Sequence, residues 1–207
     1  MPVGSEWLVF LGSTAVFAML PGPSVLYVLA CGLRGGRAEG VRSAVGTALG
    51  ATVHVSAASI GLSAVLAASA QAFTVIKIIG GAYLIVLGLH TLFGRAKGET
   101  PVRPAGSRGP IVRGVLTEVF NPKTALFFLA FLPHFVHADR GGTPLVFIVL
   151  GLIVTAMALV VDLAVAWGSG TLGAKLAQRP RWAARQRTVS GLAMVGAGTV
   201  LVIADRN

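Results

Sequence analysis

The residue most able to do chemistry in this chain is a carboxylic acid inside an apolar run. Asp162 follows Val160-Val161 and precedes Leu163-Ala164-Val165, about ten residues from the basic end of its run, or ~15 Å at 1.5 Å per residue, near the middle of a bilayer. A carboxylate at that depth costs about 2.5 to 3.5 kcal/mol, so Asp162 should face protein or a cavity, where it can take a cation or a proton. Ala158, Ala166 and Gly170 share its face at four-residue spacing, small enough for a second helix to approach. His54 lies at similar depth, about eleven residues from a basic loop, on a face with Gly46, Gly50 and Ala58. It reads either as a neutral imidazole bonded between helices or as a partner of Asp162 in moving protons. Two proline segments complete the set. Pro21-Gly22-Pro23 and Asn121-Pro122-Lys123 each interrupt an apolar run and remove backbone donors. They are either ordinary kinks or broken helices. If broken, the half-helix N-termini at Ser24, and at Lys123 and Thr124, would turn free N–H groups toward an anion. For Asp162 the simplest alternative is an ion pair with Lys123.

The elements that must position these residues are membrane spans. Hydrophobic residues make up 55% of the 207 and charged residues 12%, and the mean hydropathy of +0.81 lies outside the soluble globular range. Charge-free stretches run from Trp7 to Leu33 and from Ser43 to Ile76, each longer than the ~20 residues that cross a bilayer. Spans are expected near 6–33, 43–68, 72–93, 114–136, 144–172 and 188–204, an all-α integral membrane protein of about six helices. No cleaved signal peptide is expected, because Glu6 replaces a basic cluster ahead of the first run. The lone Cys31 excludes an intrachain disulfide and a thiolate metal cluster.

Net charge is +10, and its distribution shows what it is for. Arg34, Arg37 and Arg42 follow span one, Arg95, Lys97, Arg103, Arg108 and Arg113 follow span three, and Lys175, Arg179, Arg181, Arg185 and Arg187 follow span five. The opposite side holds Arg140, Arg206 and Lys77. The positive-inside rule then puts both termini outside, and the basic excess reports topology rather than nucleic acid. Glu118 and Lys77 sit nearer the membrane faces and can reach water by snorkelling, which leaves them without an assigned chemistry. The Gly46/Gly50 pair most simply means close packing.

Residues 94–113, rich in glycine, proline and basic side chains, read as a flexible linker between two three-helix halves, 1–93 and 114–207. Three spans per half require that similar halves be inverted relative to one another, a recurrent transporter plan. Pro23-Ser24-Val25-Leu26-Tyr27 aligns loosely with Pro122-Lys123-Thr124-Ala125-Leu126.

The order PGPSVLYVLACGLRGGRAEGV, GTALGATVHVS, KIIGGAYLIVLG, NPKTALFFLAFLPHFV, VVDLAVAWGSGTL resembles the lysine-exporter (LysE/RhtB) family of bacterial amino-acid exporters over nearly the whole chain. The resemblance implies a six-helix protein of the bacterial inner membrane that exports amino acids or their derivatives, driven by the proton gradient and without a cofactor. The family's motif residues fall on Pro21, Gly22, Pro23, Asn121, Pro122, Lys123 and Asp162. A single midplane carboxylate favours the branch that exports neutral amino acids such as homoserine, threonine or leucine, since a cationic side chain would want a second. The substrate carboxylate would meet the half-helix ends near Ser24 and Thr124 with Lys123 beside them, and its ammonium would meet Asp162, where a proton competes. A divalent-metal exporter would carry several inward His, Cys or carboxylate ligands, and only His54 and Asp162 qualify. An enzyme would need a nucleophile or metal motif, and neither HExxH nor GxSxG occurs. The small-residue faces serve packing within a chain or in a homo-oligomer equally well.

Overall fold

A computed structural model describes residues 1–93, 109–137 and 142–169, with Thr188, Gly191, Leu192, Val195, Gly196 and Thr199 beyond them. Every regular element among these is helical: α1 Glu6–Met19, α2 Pro23–Ala57, a π-helical stretch Ala58–Leu62, α3 Ser63–Ala68, α4 Ala70–Phe93, α5 Pro110–Val119, α6 Pro122–Leu126, a π-helical stretch Phe127–Phe131, a 3₁₀ turn Leu132–Phe135, and α7 Thr143–Gly168. The greater part of the expected linker, the basic stretch after α7 and all of the last span but six positions lie outside the described residues. Pro110–Arg113, expected in the linker, form the first turn of α5.

Both proline segments break their helices. Leu20 turns extended (φ −71°, ψ 117°) before Pro21, Gly22 is extended at φ −125°, ψ −174° before Pro23, and Asn121 is extended at φ −78°, ψ 107° before Pro122. A proline ring disfavours the α region for the residue ahead of it, in line with all three, although Leu132 ahead of Pro133 stays helical. The second break bends Pro110–Val119 against Pro122–Phe135 by 45°.

A third interruption falls between the first two expected spans and is shorter than the loop expected there. The expected loop 34–42 is helix on both sides of Gly36, whose φ of 75° and ψ of −175° only glycine adopts without strain. There the chain doubles back. A Cβ on Gly40 would lie 3.2 Å from the Cα of Gly32, whereas eight residues of straight helix separate such atoms by ~12 Å. Thus α2 is a helical hairpin: an outgoing arm from Pro23 that continues α1 past its break, and a returning arm through Ala57.

Packing is backbone on backbone where glycines permit it. Cβ atoms on Gly46 and Gly50 would lie 2.3 Å from the Ile111 carbonyl oxygen and 2.7 Å from that of Val115, and one on Gly114 would lie 2.7 Å from that of Ser43. The returning arm and α5 therefore touch without intervening side chains, as the Gly46/Gly50 pair suggested. Gly88 of α4 meets Gly191 and Val195 in the same way. The largest apolar cluster joins Phe10, Val55, Phe127, Phe128, Phe135, Phe147 and Leu150, with Phe17 stacked on Phe127 at 3.9 Å between ring centres. Large apolar residues cover the outside, including Leu8 at 76% and Ile60 at 74% exposure, as for helices solvated by lipid. By length and composition Thr143–Gly168 can cross a membrane, as can Pro23–Val65, which doubles back at Gly36, and the bent pair around Pro122 makes a third when taken as one span.

Candidate functional site

The two helix breaks meet, and the meeting point is the site. The break after α1 leaves carbonyl oxygens at its C-terminal end without helical donors. Lys123, one residue past the other break, reaches across and donates from Nζ to the Phe17 carbonyl at 2.8 Å and the Leu20 carbonyl at 2.5 Å. Its ammonium also lies 4.3 Å from the Phe17 ring centre. Gly22 lets the lysine pass: a Cβ there would stand 2.9 Å from Lys123 Cδ. From the first break, Ser24 Oγ donates to Glu118 Oε2. From the second, Asn121 Nδ2 donates to Ser24 Oγ at 2.8 Å and to Glu118 Oε2 at 3.1 Å. Each break thus supplies the groups that satisfy the other.

Asp162 enters from α7, only 5% exposed. Thr47 Oγ1 on the returning arm of α2 donates to its Oδ2 at 2.9 Å and lies 2.8 Å from the Ala44 carbonyl. A hydroxyl has one hydrogen to give. With Asp162 ionised, Thr47 shares that hydrogen between two acceptors. With Asp162 protonated, the acid donates to Thr47, which donates to Ala44. The pair accommodates either state with one hydroxyl rotation. Asp162 and Lys123 make no direct ion-pair contact, although both line the same cavity.

These groups line one cavity of about 40 Å³, room for a few waters. Gly22, Ser24, Asn121, Lys123, Thr124 and Asp162, all singled out from sequence, border it. Pro21, Pro23 and Pro122 do not; they act through the backbone they break. His54 stands outside, with Nε2 2.9 Å from the Glu118 carbonyl oxygen, an acceptor that requires the hydrogen to be on Nε2. That carbonyl also receives the Asn121 N–H at 2.9 Å. The contact ties the returning arm of α2 to α5.

Two expectations need correction. Glu118, expected near a membrane face and able to snorkel, is instead 6% exposed and hydrogen-bonded on the cavity wall. Its depth was counted from a span beginning at 114, whereas α5 begins at Pro110 and ends one residue after Glu118, which puts the carboxylate at the break. The second half-helix N-terminus is also less open than expected, because Asn121 Oδ1 accepts the Lys123 N–H at 3.1 Å. The first has no side-chain cap. Thr47 and Thr155, which also line the cavity, had no signal in the sequence beyond being polar in apolar runs.

Among the described residues, no three His, Cys, Asp or Glu side chains converge as metal ligands would. No solved structure matches the chain. In sequence it is 30% identical to an uncharacterized membrane protein of Vibrio cholerae, over 96% of this chain and 97% of that one. It is 27% identical to the homoserine/homoserine lactone efflux protein of Salmonella typhimurium, over 83% and 82% of the two chains. A leucine efflux protein of Klebsiella pneumoniae is 24% identical over 71% of each. Residues 15–205 match the family described as LysE type translocator, and with the broken apolar helices and their buried polar junction this chain belongs to that family of membrane translocators.

Proposed function

We propose that this protein exports small, neutral amino acids of the homoserine, threonine or leucine kind, or their derivatives, across the bacterial inner membrane by proton antiport. The observation that carries the reading is the junction of the two breaks: a buried cavity edged by Asp162, Glu118 and Lys123, with an uncapped half-helix start at Ser24. The efflux activities named for the Salmonella and Klebsiella relatives point the same way. A substrate ammonium pairs with Asp162, whose only hydrogen-bond partner among the described residues is Thr47. The α-carboxylate meets the first-turn N–H groups at Ser24 and the ammonium hydrogen of Lys123 not given to Phe17 and Leu20. Proton and substrate compete for Asp162, and rocking of one half against the other alternates access. The thirteen basic residues after spans one, three and five face the cytoplasm, with both termini outside.

Glu118 favours a second reading. The preference for neutral substrates rested on a single deep carboxylate, and the cavity holds two against one lysine. Ionised, the three groups sum to one negative charge, which suits a substrate of net charge +1. Glu118 Oε2 is already held by Ser24 and Asn121, which leaves Asp162 the freer of the two and keeps the neutral reading first.

The test uses inside-out vesicles energised acid-inside, screened for uptake of radiolabelled amino acids. Gradient-dependent uptake of neutral amino acids, lost in Asp162→Asn, supports the proposal. Uptake of basic amino acids alone selects the second reading, and uptake of none refutes both.

A further inference from the structure

We propose that a second site, apart from the transport cavity, binds an anionic phospholipid headgroup in the groove between the returning arm of α2 and the end of α7. Arg37, Ala38, Val41 and Arg42 form one wall and Trp167 the other, around a volume of about 460 Å³. Both arginines are exposed, and neither pairs with a described carboxylate. The nearest acid in sequence, Glu39, lies over Gly35 instead. The following stretch, residues 170–187, contains five basic residues and no acidic one, so its approach would only add positive charge.

Two unpaired guanidinium groups five residues apart are the chemistry that recognises a phosphodiester, through paired N–H donors. The rest of the groove names the source of that phosphate. Val41, Ala38 and the indole of Trp167, 66% exposed, give an apolar wall suited to the glycerol and upper acyl carbons, and tryptophan is the residue that settles at the headgroup level. A basic groove between spans on the face rich in lysine and arginine is where anionic headgroups bind. Arg42 stands five residues from Thr47 and Trp167 five from Asp162, so a lipid here grips the two helices that the Thr47–Asp162 hydrogen bond joins.

Trp167 reports on its own groove once Trp7 and Trp182 are replaced by phenylalanine in the full chain. In mixed micelles, brominated phosphatidylglycerol is expected to quench it at a mole fraction about thirty-fold below that of brominated phosphatidylcholine. Arg37→Gln/Arg42→Gln should weaken that preference by about five-fold per guanidinium, about thirty-fold in all. Equal quenching by the two lipids in the protein with both arginines intact overturns the proposal without reference to any arginine variant. So does displacement of the brominated lipid by millimolar inorganic phosphate, which would make a free anion the ligand.

Discussion

The approach of α5 to the returning arm of α2 at Gly114 makes a sharp test of the packing. A Cβ on Gly114 would sit 2.7 Å from the Ser43 carbonyl oxygen and 2.9 Å from the Thr47 nitrogen. Both are backbone atoms of a helix, which cannot swing aside as a side chain can. Carbon needs ~3.5 Å for a favourable contact, so Gly114→Ala must push α5 away from α2 by several tenths of an ångström. Overpacking of this kind costs about 1 to 3 kcal/mol, against about 1 kcal/mol gained from alanine's helix propensity. The displacement also moves Glu118, one turn further along α5, away from Ser24. Gly12→Ala is the control, because nothing lies within 4 Å of its added Cβ, and it should be neutral or stabilising by up to ~1 kcal/mol. Thermal unfolding of the purified variants should shift in opposite directions, with transport reduced in Gly114→Ala alone. A Gly114→Ala protein as stable and active as Gly12→Ala would refute the backbone contact.

Other substitutions separate support from chemistry. Lys123→Met strips the Phe17 and Leu20 carbonyls of a charged donor and should cost about 2 to 3 kcal/mol in unfolding free energy, with transport lost; unchanged stability would show that the lysine does not hold the break. Glu118→Gln keeps shape and one acceptor, so it should insert and fold near normally while slowing transport at least tenfold in vesicles. For His54→Ala, a loss of about 1 kcal/mol on unfolding is expected, with the proton-to-substrate stoichiometry unchanged; altered stoichiometry would return the histidine to the proton path. Pro23→Ala and Pro122→Ala should each impair transport while membrane insertion, scored by protease accessibility, stays intact.

What the sequence made legible follows from how strongly each residue constrains its surroundings. Proline removes a donor and disfavours the α region ahead of it, so interruptions at Pro21, Pro23 and Pro122 could be expected from residue types inside apolar runs. Asp162 was legible because a carboxylate in an apolar run must face inward. Glu118 was not, since its depth depends on where α5 starts, and a boundary error of one turn moved it from the break to the membrane face. The reversal between the first two spans was legible, but its narrowing to a turn at Gly36 was not, because the arginines around it look like a loop although they flank helix; Gly35-Gly36 was the available signal. The mutual satisfaction of the breaks, Lys123 on the α1 carbonyls and Asn121 on Ser24, joins residues some hundred positions apart and leaves no trace in local pattern.

The central claim is that proton and substrate compete for Asp162, and proton release on binding measures it directly. Substrate found in the uptake screen, added to purified protein in weakly buffered detergent solution with a pH dye, should release protons into solution over the pH range in which the site holds one. Asp162→Asn should release none. Release that persists in Asp162→Asn, or substrate that binds the wild-type protein at every pH without releasing any, would contradict the account.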